Sequence, residues 1–257
     1  MVMLEIKDLR AGYEDRMVLN NLTLTIPEGK ITVILGPNGC GKSTLLKSLC
    51  GILPIVRGQV LLDGMDILTQ APRQLAQRVA YLSQSRQVPD ITAYRLVLHG
   101  RFPYLGYPRR YRKEDHATAR TAMEQMGIWE LADTLMEKLS GGQRQKVYIA
   151  MALAQDTPVI LLDEPTTYLD ISHQMQMMQH ARLLARQGKT VLMVIHDLPH
   201  ALQTADNVIL MRDGAVVAQG TPEQLYASGS VENVFHIRLG RTETAGGWRY
   251  YCEEGNV

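Results

Sequence analysis

The chain has 257 residues, of which 27 are basic and 26 acidic, giving a formal net charge of +1 at pH 7. That balance does not suggest bulk affinity for nucleic acid, and the length suffices to bury a substantial core as one domain or two closely joined subdomains. Three cysteines, Cys40, Cys50 and Cys252, lack metal-ligand spacing, and their odd number argues against a disulfide framework, which fits a reducing cytosol.

Near the start, Glu5, Lys7 and Asp8 stand where a signal peptide needs apolar residues. Residues 4–9 and 22–26 alternate apolar and polar side chains and predict strands, and the turn Pro27-Glu28-Gly29-Lys30 leads into the apolar run 31–35. Directly after it, Gly36-Pro37-Asn38-Gly39-Cys40-Gly41-Lys42-Ser43-Thr44 fits the P-loop pattern G-x-x-x-x-G-K-[ST], and residues 45–49 read as helix. Glycines let such a loop curl so that backbone N–H groups point at phosphate oxygens, with the helix N-terminus behind them. Lys42 is then placed to reach the β- and γ-phosphates, and the Ser43 hydroxyl to ligate Mg²⁺.

Further along, residues 58–62 and 79–82 read as a strand pair bracketing the turn signal Asp63-Gly64. From about 86 to 154 the spacing turns helical, with breaks at Pro103, Gly106, Pro108 and Gly127, which marks an inserted helical subdomain. Continuous apolar runs at 159–162, 191–195 and 208–211 suit strands buried on both faces of a mostly parallel sheet. Met175, Met177 and Met178 read as packing residues on a helix, and Arg109 to Lys113 as a solvated face with contact to anionic lipid or a membrane partner as the sharper alternative. The tail holds a short helix-like piece and an aromatic strand at 248–251. The longest apolar runs are far too short to span a bilayer.

The segment Leu139-Ser140-Gly141-Gly142-Gln143 precedes a helix-compatible stretch, so Ser140, Gly141 and Gly142 present a hydroxyl and open backbone N–H groups to an anion. With the P-loop, this segment makes the chain resemble the ATPase subunits of ABC transporters, whose signature is LSGGQ, over nearly its whole length. The resemblance implies an α/β fold: a P-loop NTPase (RecA-like) core with an N-terminal antiparallel β-subdomain and an inserted helical subdomain. It implies a single ABC ATPase domain over 1–257, with core at 1–85 and 156–230, helical subdomain at 86–155 and a C-terminal extension at 231–257.

The resemblance also assigns expected roles. ATP and Mg²⁺ are the expected cofactors. The nucleotide is expected on Tyr13, stacked on adenine, on Gly36 to Thr44, and on Ser140, Gly141, Gly142 and Gln143 of a second copy of the chain. Asp163 at the end of an apolar strand is expected to hold Mg²⁺ through water, together with Ser43 and Gln84. Glu164 is the expected general base, a role worth ~10²–10⁴ in rate, with Gln84, His196 and Lys42 completing the catalytic set. His99, His116 and His173 carry no functional expectation. Asp170 is expected at the dimer seam. Cys40, beside Lys42 and a helix N-terminus, is expected to be a reactive thiolate that ATP protects.

Two segments narrow the resemblance. Glu164-Pro165-Thr166-Thr167-Tyr168-Leu169-Asp170 and Gly100-Arg101-Phe102-Pro103-Tyr104-Leu105-Gly106 are similar to ATPase subunits of importers for ferric siderophores, haem and vitamin B12, with the siderophore group nearest. The expected partners are a second copy, a multi-helix permease docking near Arg101 to Tyr104 and, indirectly, an external binding protein, with no nucleic acid; the expected place is the cytoplasmic face of the membrane. The alternatives are import of haem, cobalamin or another small solute, a non-transport ABC ATPase acting on nucleic acid or ribosomes, and a P-loop kinase or GTPase. About fifty-five residues between Gln84 and Leu139 leave no room for a long coiled coil, one cassette is present rather than two, and no Asn-Lys-x-Asp segment occurs.

Overall fold

The computed structural model describes residues 4–14, 16–84, 88–166, 170–245 and 247–254. Strands β1 (Leu4–Tyr13), β2 (Arg16–Ile26), β4 (Ile55–Leu62) and β5 (Met65–Asp66) form an antiparallel sheet in the order β2–β1–β4–β5. A second sheet is built from β3 (Ile31–Leu35), β6 (Val79–Leu82), β7 (Val159–Asp163), β8 (Thr190–Val194), β9 (Asn207–Arg212) and β10 (Ala215–Gly220), in the order β10–β9–β3–β8–β7–β6. Its pairs are parallel except β9 with β10.

Alternation along the buried strands divides the core into two layers. Val191 and Met193 point to one face of the large sheet, Leu192 and Val194 to the other, and Val208, Ile209, Leu210 and Met211 divide the same way. Both faces are dry, which is why these segments read as unbroken apolar runs. One face meets α1 (Lys42–Leu49), through Leu45, Leu46 and Leu49, and the antiparallel sheet behind it. The other face takes Met177, Met178, Ala181 and Leu184 of α6 (Ile171–Arg186) and Ala201 and Leu202 of α7 (Leu198–Thr204). Met175 departs from the expected packing role, because it lies on the outer face of α6 and is exposed.

The short helix α2 (Pro72–Ala76) precedes β6, and α3 (Ala93–His99), α4 (Lys113–Gln125) and α5 (Gly141–Gln155) pack together around Val97, Ala119, Met123 and Val147. Residues 58–62 and 79–82 are not a strand pair. The Asp63-Gly64 turn joins β4 to the two-residue β5, whereas β6 pairs with β7 in the other sheet. The intervening α2 carries the chain across, and burial of both faces of β6 suits it to the parallel sheet. Beyond β10, α8 (Pro222–Ala227) and α9 (Ser230–Phe235) lead to a hairpin of β11 (Ile237–Thr244) and β12 (Gly247–Glu254). Leu239 and Tyr250 turn from this hairpin into the core, and the Arg249 guanidinium donates to Gln203 Oε1 of α7 at 2.7 Å.

Candidate active site

Topology gathers the site. β3, β8, β7 and β6 are consecutive neighbours in one parallel sheet, and the P-loop, His196, Glu164 and Gln84 each follow one of them. Segments far apart in sequence therefore meet along the carboxyl edge, where open α/β sheets place ligands.

The loop after β3 needs glycine at two positions for different reasons. A Cβ on Gly36 would collide with the carbonyl oxygen of Met211, and Gly41, the N-cap of α1, has a φ of +104°. Lys42 is buried and folds back on its own loop, donating to the Gly36 and Pro37 carbonyls at 2.7 and 2.9 Å. Ser43 Oγ donates to Asp163 Oδ1 at 2.9 Å. Tyr13, Asn38, Gly39, Gly41, Lys42, Ser43, Thr44 and Glu164 line a cavity of about 290 Å³, with Tyr13 at its rim and 45% exposed. Gly36, Pro37 and Cys40 form the back of the loop and do not line it.

Asp163 is 3% exposed, and both carboxylate oxygens are engaged: Ser43 on one, the Tyr81 hydroxyl on the other at 3.0 Å. Burial and then the neighbouring Asp163 charge push the Tyr81 phenol far above its usual range, so it remains a proton donor. Sequence reading missed Tyr81. The available signal was a polar-tipped aromatic in the otherwise aliphatic strand Val79-Ala80-Tyr81-Leu82, three residues before Gln84.

Glu164 has a φ of +49°, a left-handed conformation uncommon outside glycine, which turns its side chain back toward the sheet edge. Its carboxylate lies 2.5 Å from His196 Nε2 and also accepts from the Gln84 side-chain amide. Gln84, Glu164 and His196 thus form one cluster beside the P-loop.

Ser140, Gly141, Gly142 and Gln143 do not join that cavity. They open α5 with a reciprocal cap: Gln143 N–H donates to Ser140 Oγ at 3.3 Å, and Ser140 N–H to Gln143 Oε1 at 3.0 Å. Asp170 caps α6, its Oδ1 accepting the His173 N–H at 2.8 Å. His173, given no role by sequence reading, lies against Gly142. Its spacing of three residues from a capping Asp was the one visible hint. Thr167, Tyr168 and Leu169 lie outside the described residues.

Cys40 is not a ready thiolate. Burial, outweighing the Lys42 ammonium, pushes the thiol above its usual value. Among the described residues, no group of three or more His, Cys, Asp and Glu side chains gathers to hold a metal. The adjacent Ser43 and Asp163 oxygens instead suit an ion such as Mg²⁺, which takes few protein ligands and completes its shell with phosphate and water.

The segment from Gly100 to Gly106 is anchored inward and open outward. A Cβ on Gly100 would strike the Met151 carbonyl, Arg101 Nε meets Asp115 Oδ1 at 3.1 Å, and its NH1 donates to the Ala154 carbonyl at 2.9 Å. Phe102 and Tyr107 are exposed beside a groove of about 470 Å³ bordered by Pro72, Arg73 and Arg109.

A parallel sheet carrying a P-loop, with a Gln–Glu–His cluster on its carboxyl edge and a capped LSGGQ helix apart from it, defines an ATP-hydrolysing cassette. The profile of the ABC transporter family matches residues 19–167, and the chain belongs to that family as its ATP-binding ATPase domain. It is 44% identical over 234 residues to the ferric enterobactin transport ATP-binding protein FepC of Escherichia coli K12, covering 90% of this chain and 86% of that protein. It is 43% identical over 236 residues to the iron(3+)-hydroxamate import ATP-binding protein FhuC of Bacillus subtilis 168, covering 91% and 88%. Among solved structures, a metal-chelate type ABC transporter in an inward-facing conformation superposes with a TM-score of 0.84 at 26% identity, covering 98% of both chains. No helix among the described residues is long and apolar enough to cross a membrane.

Proposed function

We propose that two copies of this chain sandwich two ATP molecules on the cytoplasmic face of a membrane and power import of a metal chelate, a ferric siderophore, through a separate permease. The observation that carries the sandwich is the separation just described. The P-loop, Tyr13 and Glu164 share one cavity, while the anion-ready helix end at Ser140 to Gln143 stands outside it. A second copy can supply that end to the first copy's nucleotide.

In this reading adenine stacks on Tyr13, and the phosphates lie on the loop N–H groups of Asn38 to Thr44. Lys42 leaves the Gly36 and Pro37 carbonyls to reach the terminal phosphates. Ser43, Gln84 and, through water, Asp163 would hold a Mg²⁺ ion, whose charge would offset that of the phosphates. Glu164 takes a proton from water as its oxygen attacks the γ-phosphorus, and the bond to the ADP oxygen breaks. His196 and Gln84 keep the Glu164 carboxylate aimed. The groove beside Phe102 and Tyr107 is the permease docking site. The external binding protein acts on the permease, and no nucleic acid takes part. The cargo assignment is supported by the names of the relatives, which transport ferric enterobactin and import iron(3+)-hydroxamate.

Mixing two inactive variants, Lys42→Ala and Ser140→Arg, tests the sandwich, because each heterodimer contains one site with neither defect. Activity should return on mixing; full-rate hydrolysis by chains that never associate with nucleotide would sink the reading. For cargo, deletion of the gene should abolish growth on a ferric siderophore as sole iron source, and Lys42→Ala should not restore it. Normal uptake of siderophore with loss of haem or cobalamin uptake would move the assignment to those chelates.

A further inference from the structure

His173 sits on the backbone of the signature helix. Gly142 occupies the first turn of α5, and a Cβ there would collide with three ring atoms of the His173 imidazole, Nε2 among them. The ring is held from its other side. Asp170 Oδ1 lies 2.7 Å from His173 Nδ1 and also accepts the His173 N–H and, at 2.9 Å, the Ser172 hydroxyl. These bonds, the backbone N–H first, hold the Asp170 carboxyl down at about 2, so it is ionised at any working pH. An ionised acceptor at Nδ1 places a proton on that nitrogen and leaves Nε2 facing Gly142.

The contact is tight. Between α5 and α6, around Gly142, Lys146, His173 and Met177, only about 10 Å³ remains, no more than a single water occupies. A second link runs in parallel: Gln145, five residues past the Ser140 cap of α5, donates its side-chain amide to the Pro165 carbonyl at 2.9 Å. Pro165 follows Glu164. The chain leaving the Glu164 cluster is therefore tied to the start of α5 at Pro165 and again at the first turn of α6.

We infer that His173 is a positioning residue: clamped by Asp170, it fixes the first turn of α5 so that Ser140 to Gln143 meet the partner's nucleotide in register with the Glu164 segment. The inference rests on the ATP-sandwich reading. His173 touches neither nucleotide nor reacting atoms in this scheme. Its ring orients the helix end that does, and it links Asp170 and the first turn of α6 to α5.

The test uses the Glu164→Gln chain, in which hydrolysis does not obscure closure. ATP-dependent dimerisation is followed by light scattering, and nucleotide affinity of the open form is measured separately in a Ser140→Arg chain with a fluorescent ATP analogue. His173→Ala should raise the ATP concentration for half-maximal dimerisation about tenfold, a coupling within the usual range for contacting residues, and leave open-form affinity unchanged. His173→Asn, which keeps a donor near the Nδ1 position, should recover part of the loss. Asp170→Ala should act like His173→Ala, and the double variant should be no worse than either, with thermal melts confirming that each is folded. Failure of the Glu164→Gln parent to dimerise with ATP would remove the sandwich reading itself. Normal closure by His173→Ala in a parent that does dimerise, or an equal loss of open-form affinity, would overturn the His173 assignment alone.

Discussion

His196 Nε2 and Glu164 Oε1 lie 2.5 Å apart, joined across the carboxyl ends of β8 and β7. Parallel pairing of those strands creates the contact, and the left-handed backbone at Glu164 aims the carboxylate into it. In the proposed mechanism the imidazole orients the base that must take the proton.

Glu164→Gln should keep ATP binding and lower turnover by ~10²–10⁴, since the amide retains the shape and loses the basic lone pair. Steady-state hydrolysis with and without the variant, beside nucleotide affinity, measures this. Near-normal turnover would remove Glu164 from the role of base.

Tyr81→Phe leaves Asp163 Oδ2 without its phenolic donor in a carboxylate that is 3% exposed. An engaged, buried acceptor stripped of its partner costs about 1–3 kcal/mol. Urea unfolding should show a loss of that size with an unchanged m-value. A stability equal to that of the parent chain would mean that the Tyr81 bond contributes nothing.

Arg101 and Asp115 form a pair whose side chains are 13% and 9% exposed, and the Arg101 guanidinium also lies 3.9 Å from the Tyr104 ring centre. Arg101→Ala strands a buried carboxylate and should destabilise the fold by about 3–5 kcal/mol at pH 7. Burial raises the Asp115 carboxyl, but the Arg112 N–H and the Arg101 guanidinium outweigh it, and the net shift is downward. A lowered folded value means that the pair's stabilisation is present above the unfolded carboxyl value of ~3.9 and fades as pH falls through the lower folded one. The difference between the two chains should therefore hold from pH 7 to about 5 and shrink in more acid solution. A difference that grows on acidification would reverse the assignment.

At pH 7.5 an alkylating agent should modify the exposed Cys252 well before Cys40, and ATP binding should survive that first modification. Raising the pH should bring Cys40 into reaction, because burial places its thiol above the ordinary value. Mass spectrometry of peptides at each pH separates the two sites. Rapid neutral-pH labelling of Cys40 would restore the reactive-thiolate expectation.

Sequence alone determined the elements whose chemistry is local. A P-loop is legible because its glycines and Lys42 act through the loop's own backbone, and the LSGGQ cap is legible because Ser140 and Gln143 serve each other. Apolar runs marked the strands that are dry on both faces, and spacing marked the helical insertion. What needed the tertiary structure was every relationship set by strand order. Residues 58–62 and 79–82 looked like a pair, and only the sheet order sends them to different sheets. Tyr81 reaches Asp163 because β6 and β7 are parallel neighbours, and a lone tyrosine in a strand carries no local sign of the partner it will find. His173 gained its place from the packing of α6 on α5, and Cys40, expected as a reactive thiolate, is a buried thiol against the loop and the Met211 strand. Local pattern specifies what a segment can become, whereas burial and side-chain partners depend on which segments the sheet brings side by side.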